Sequence, residues 1–145
     1  MIEQGFYISK EIPQRWWVMV FYNIDTNIHY DRILGTLLAA GLFRQNAIRA
    51  VNVLSKPNTG YIHSDLDRLT SVVMISHGTS YDEVFDTVTH EIEHLTMAIC
   101  ERFGINPHSE KAAYIQGEIG KQMYKGVALS VCPKCGCGEN KSLPQ

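Results

Sequence analysis

The sequence predicts an α+β fold in which a small sheet packs on helices and one central helix carries an H-E-x-x-H motif. Short aromatic and β-branched runs bounded by Pro, Asn or Gly are typical of strands. Longer segments repeat apolar residues every three or four positions, which indicates amphipathic helices. The 145 residues suffice for one domain with a modest core.

The first half of the chain predicts one strand followed by two helices. Residues 16–22 are rich in aromatic and β-branched side chains and predict a strand. Apolar residues at helical spacing over 30–38 predict a helix that Gly41 ends. A second helix is expected over 44–54, before the helix-breaking sequence KPNTG.

The second half predicts two strands and then two long helices. Residues 61–64 and 70–75 have the composition of strands and are joined by a polar turn. The sequence SYDE at 80–83 is a capping box, so a helix is predicted over 81–103 and Gly104 ends it. Ser109 is the expected cap of a last helix that reaches about Tyr124.

The domain is expected to cover residues 1–131, with a cysteine-rich tail over 132–145. The net charge of −2 offers no basic surface, so no nucleic-acid partner is expected. The longest apolar run is too short to span a bilayer, and no membrane partner is expected. The start of the sequence lacks the pattern of a secretory signal, so the cytoplasm is the expected location.

The H-E-x-x-H motif at 90–94 is the strongest chemical signal in the chain. His90 and His94 lie four residues apart on one face of a helix, where both can bind one zinc ion. Both project away from the apolar stripe of that helix, so they are not core histidines. Glu91 is expected to point sideways and to act as the general base towards a water that the metal activates.

A catalytic zinc site needs a third protein ligand, and the last helix offers Glu110 and Glu118. An antiparallel hairpin would place Glu118 opposite His94. Glu110, however, shares a helix face with Ala113 and Gly117, and small residues allow two helices to approach closely. This pattern favours Glu110 and leaves Glu118 as the alternative.

Three cysteines follow the last helix within six residues, at Cys132, Cys135 and Cys137. Cys132 and Cys135 have the spacing of half a structural zinc site, and Cys137 adds a third thiolate. Cys100, His108 or a second subunit would supply the fourth ligand. The alternative is a reactive or simply exposed cysteine tail. Cys100 is expected to be an inert buried thiol.

The segment THEIEHLTMAICERFGINPHSEKAAYIQG at 89–117 resembles the gluzincin branch of zinc metallopeptidases. It is most similar to compact members that combine H-E-x-x-H with a downstream E-x-x-A helix, matched here by the sequence EKAA at 110–113. The chain is also similar to small peptidases of phages and bacterial mobile elements.

The resemblance implies a minimal zincin-like domain with zinc bound by His90, His94 and Glu110, and with Glu91 as the base. The strand that ends near Ile75 would offer its edge to an extended peptide substrate. No clear oxyanion-stabilising motif is present. Side chains that could take that role are His63, His77, His108 and Tyr114.

Two functions follow from these observations. The first is a zinc-dependent metallopeptidase that hydrolyses peptide or protein substrates. The second is a non-catalytic structural or assembly protein of zincin fold, such as a phage virion component with a protein partner. Glu91 favours the first because a structural site has no use for a base, and the small size of the chain favours the second.

Overall fold

A computed structural model describes residues 1–132, which form a four-stranded mixed sheet with two helices packed on each face. In chain order, the elements are β1 (Ile2–Ile8), β2 (Trp16–Ile24), α1 (Thr26–Ala39), α2 (Arg44–Leu54), β3 (Gly60–Asp65), β4 (Thr70–Ser76), α3 (Tyr81–Phe103) and α4 (Glu110–Ser130). The predicted α+β class is confirmed. None of the helices within residues 1–132 is long and apolar enough to cross a membrane.

The strands are ordered β1-β2-β4-β3 across the sheet. β1 and β3 pair antiparallel with their neighbours, whereas β2 and β4 form a parallel central pair. The strand that ends near Ile75 is therefore paired on both sides, and the expectation that it offers a free edge is wrong. Strand order depends on long-range pairing, which local sequence patterns do not encode. The edge strand on this side is β3.

Alternation along β2 divides the core into two layers. Trp16, Val18 and Val20 face α3 and α4, while Phe21 faces α1 and α2. Ile24 joins Phe21 on that face because the strand register shifts between these two residues. Because successive strand residues point to opposite faces, a central strand covered on both sides reads as a continuous apolar run. This explains why the sequence of residues 16–22 predicts a strand.

Most elements begin and end close to the predicted residues. α2 and α3 match their predicted bounds, and the caps of α3 and α4 at Ser80 and Ser109 are as expected. Strand β1 was not predicted, since its interior Gly5 and polar residues weaken the pattern. α4 continues to Ser130, six residues beyond the predicted end.

Candidate metal centre and its groove

Helix α3 carries the motif and is held at both ends by local capping. The Ser80 hydroxyl accepts a hydrogen bond from the Glu83 amide at 3.2 Å. At the other end, Gly104 adopts a left-handed conformation with φ of 65°, which glycine adopts without steric cost. The buried side of α3 packs on the sheet, so the register of the motif relative to the strands is fixed.

His90 and His94 both point into solvent from the outer side of α3. Their Nε2 atoms are 3.0 Å apart. Two imidazole nitrogens on a tetrahedral zinc ion lie roughly 3.3 Å from each other, given zinc–nitrogen distances of about 2.0–2.1 Å. The observed separation is close to that of two zinc ligands, and it also permits a hydrogen bond between the two rings.

Glu91 is buried within the stripe of α3 that faces the sheet, with 4% of its surface exposed. Its side chain lies against Gly60 at the start of β3, where a Cβ atom would come within 2.7 Å of Glu91 Oε1. This position differs from the sideways one expected from helix geometry. The missing side chain at Gly60 makes room for the carboxylate.

The Glu91 carboxylate has no hydrogen-bond partner within residues 1–132. No fully buried side-chain oxygen in that part of the chain lacks a partner, so these oxygens keep contact with solvent. Burial raises the pKa of Glu91 above its usual range, and the nearby charges of His90 and His94 act in the opposite direction. The result is a carboxylate with an enhanced affinity for a proton.

A groove of about 450 Å³ opens beside this carboxylate. One wall is formed by the end of α2 and the start of β3, and the other by the middle of α3. The lining residues are Val53, Asn58, Thr59, Gly60, Asp86, Thr87, Thr89, His90, Glu91 and Glu93. The groove therefore places His90 and Glu91 of the motif beside the start of the edge strand β3.

Glu110 and Glu118 both lie outside this groove. Glu110 is exposed in the first turn of α4 and accepts a hydrogen bond from the Tyr114 hydroxyl at 3.1 Å. Glu110 lies at the end of the hairpin where α3 stops. The last residue of α3, Phe103, is nine residues beyond His94, which is roughly 13 Å along the helix axis. Glu118 instead accepts hydrogen bonds from the backbone amides of Ser9 and Lys10 at 3.0 and 3.1 Å.

The face of α4 that carries Ala113 and Gly117 is exposed, and a Cβ added at Gly117 would contact nothing within 4 Å. Ala113 and Gly117 therefore do not bring α4 close to α3, and this expectation from the sequence is wrong. α4 packs through Ala112, Ile115 and its other buried residues instead. The role of Glu110 as a ligand remains a prediction.

Residues 1–132 contain no group of three or more His, Cys, Asp or Glu side chains that could hold a metal ion. The structure brings His90 and His94 together, with Glu91 beside them, but does not add Glu110.

Of the predicted cysteine site, Cys135 and Cys137 lie outside the described residues. Burial raises the pKa of the Cys100 thiol, as expected for an inert buried cysteine.

None of the side chains considered for oxyanion stabilisation lines the groove in the described part of the chain. His77 is 3.0 Å from the side-chain oxygen of Asn23, and Tyr114 donates to Glu110. Asp86, Glu93 and the segment 58–60 also line the groove and were not predicted from the sequence. The one local signal is Gly60 itself, the last residue of the sequence KPNTG, because a glycine at the start of a strand can mark a close backbone approach.

No protein-family model matches this chain, and comparison with curated proteins and with solved structures finds no match.

Proposed function

We propose that this protein is a zinc-dependent metallopeptidase of minimal zincin-like fold. One observation carries the proposal. The Nε2 atoms of His90 and His94 lie 3.0 Å apart, and His90 lines a groove that also contains the buried Glu91 carboxylate. Histidine pairs of this kind suit zinc, and a partnerless carboxylate beside them suits general base catalysis.

The roles of the side chains follow from their positions. Zinc, when bound by His90 and His94, supplies a Lewis acid that polarises a carbonyl group and lowers the pKa of water. Glu91 accepts a proton from the attacking water and later passes it to the leaving amine. Its raised pKa makes it a stronger base than an exposed carboxylate. The outer edge of β3 offers backbone groups that can align an extended peptide.

The test of this proposal is Glu91→Gln, with Glu101→Gln as a matched control on the exposed side of the same helix. We expect Glu91→Gln to keep zinc at parental affinity and to lose hydrolysis by about 100-fold or more. Glu101→Gln should retain both. Zinc content by atomic absorption and cleavage of a peptide library by mass spectrometry measure the two effects. Parental hydrolysis by a folded Glu91→Gln protein would disprove the role of this residue.

A second candidate function is a non-catalytic structural or assembly protein, such as a phage component. It is favoured by the observation that residues 1–132 provide only two gathered metal donors. A comparison of Glu110→Gln with Glu118→Gln separates the candidates. On the peptidase proposal, Glu110→Gln weakens zinc binding at least about tenfold and Glu118→Gln does not. Equal zinc affinity in both, with no hydrolysis by the parent, would favour the assembly protein.

A further inference from the structure

The outer side of α3 has a high density of uncompensated negative charge. Five of its carboxylates are exposed, and within residues 1–132 none of them has an ion-pair partner: Asp82, Glu83, Asp86, Glu93 and Glu101. With Glu91 and one arginine, the helix has a formal charge of −5. The rest of the chain has nine carboxylates against twelve Lys and Arg residues, a charge of +3. The negative charge is thus concentrated on the helix that carries the histidine pair.

Part of this charge lies in the groove itself. Asp86 and Glu93 line it, seven residues apart on one side of α3, or roughly 10 Å along the helix axis. Glu91 adds a third carboxylate that is 96% buried, lacks a hydrogen-bond partner in the described chain and faces the same space. No Lys or Arg side chain lines the groove. Each of these features favours a cationic ligand.

A metal ion alone does not account for the pattern. Asp86 and Glu93 do not join the histidine pair in a group of three donors within residues 1–132. The opposite wall is uncharged and contains Val53, Asn58 and Thr59. Such a wall suits the aliphatic stem of a long basic side chain, whose charged end would then reach the carboxylates.

We infer that the groove recognises a Lys or Arg side chain of an extended polypeptide, with Asp86 and Glu93 as the residues that determine this specificity. The inference deepens the proposed function and rests on it for the peptide nature of the ligand. It adds a substrate class, namely basic segments, which the histidine pair alone does not specify.

The test uses three fluorescein-labelled ten-residue peptides of Gly, Ala and Ser that differ only in a central Arg, Gln or Glu. Fluorescence anisotropy with zinc-loaded protein gives the dissociation constant, and mass spectrometry of the same samples reports cleavage. We expect the Arg peptide to bind about fivefold to tenfold more tightly than the Gln peptide in low salt, and the Glu peptide most weakly. Raising the salt concentration should reduce the preference.

The double variant Asp86→Asn/Glu93→Gln should lose most of this preference. The control, Asp31→Asn/Asp67→Asn, changes the net charge equally at two exposed carboxylates outside the groove and should keep it. Equal binding of the Arg and Gln peptides, no binding of any peptide, or equal losses in both variants would overturn the inference. Arg-selective binding without hydrolysis would uphold it and would count against the peptidase proposal alone.

Discussion

At the scale of single residues, the contact between Gly60 and Glu91 controls the position of the carboxylate. A methyl group at position 60 would lie 2.7 Å from Glu91 Oε1 and 2.8 Å from its Cγ, closer than these atoms can approach. The atoms that must move belong to a flexible side chain, so the shift costs only about 1 kcal/mol of stability. The variant therefore displaces Glu91 without changing its chemistry.

We expect Gly60→Ala to retain zinc but to lower the rate of peptide hydrolysis by about tenfold to 100-fold, because a base displaced by about 1 Å transfers protons poorly. Steady-state kinetics and zinc content measure the two effects. Gly35→Ala on α1, where an added Cβ meets nothing within 4 Å, is the control and should leave the rate unchanged. A parental rate in Gly60→Ala would argue against Glu91 as the base.

The titration of Tyr22 couples stability to alkaline pH. It is fully buried, and its hydroxyl lies 2.6 Å from Gln4 Oε1 and 3.1 Å from the Met123 carbonyl. Burial raises its pKa far above the usual value of about 10. The folded protein thus keeps the proton at a pH where the unfolded chain releases it.

The contribution of Tyr22 to stability is complete below pH 10 and is lost as the pH rises towards its folded pKa, by about 1.4 kcal/mol per unit. Tyr22→Phe should cost about 1 kcal/mol near neutral pH through the lost hydrogen bond. Above pH 10, the variant should lose stability less steeply than the parent. Urea unfolding of both proteins from about pH 8 to about pH 11 measures these slopes, and parallel curves would contradict the assignment.

At the scale of elements, two glycines in α4 have opposite roles. A Cβ at Gly126 would lie 2.1 Å from the Tyr22 ring of β2, whereas Gly117 faces open solvent. Gly126→Ala should therefore destabilise the fold by about 1–3 kcal/mol through overpacking. Gly117→Ala should stabilise it by about 0.5–1 kcal/mol, since alanine favours helix. Chemical denaturation followed by circular dichroism tests both, and effects of the same sign would refute this packing.

Helices α4 and α3 show which features can be predicted from the sequence and which cannot. Ser109 was recognised as a cap because capping depends on a few neighbouring residues. At Gly126, α4 lies close to the Tyr22 ring of a distant strand, and no local pattern reports that contact. His90 and His94 were correctly placed on the exposed side of α3 because helical periodicity alone decides it. The burial of Glu91 depends on Gly60, a partner 31 residues away.

At the scale of the whole molecule, zinc binding should stabilise the folded chain. An ion that binds only the folded state adds about 2.7 kcal/mol to the free energy of unfolding at 100 times its dissociation constant. His90→Ala/His94→Ala should abolish this gain. Because both side chains are exposed, the metal-free variant should stay within about 0.5 kcal/mol of the metal-free parent. Thermal unfolding with and without zinc tests this, and an equal gain in the variant would place the ion elsewhere.

The position of β3 at the edge of the sheet has a consequence for motion. Within the sheet, β3 is held by β4 alone, and all six of its residues are only partly buried. Segments with little buried surface open locally at lower free energy than the core. We therefore expect backbone amides of Gly60–Asp65 to exchange with deuterium sooner than those of Val73 and Ile75 in β4. Local opening of this strand would widen the groove beside Glu91 while the rest of the molecule stays folded.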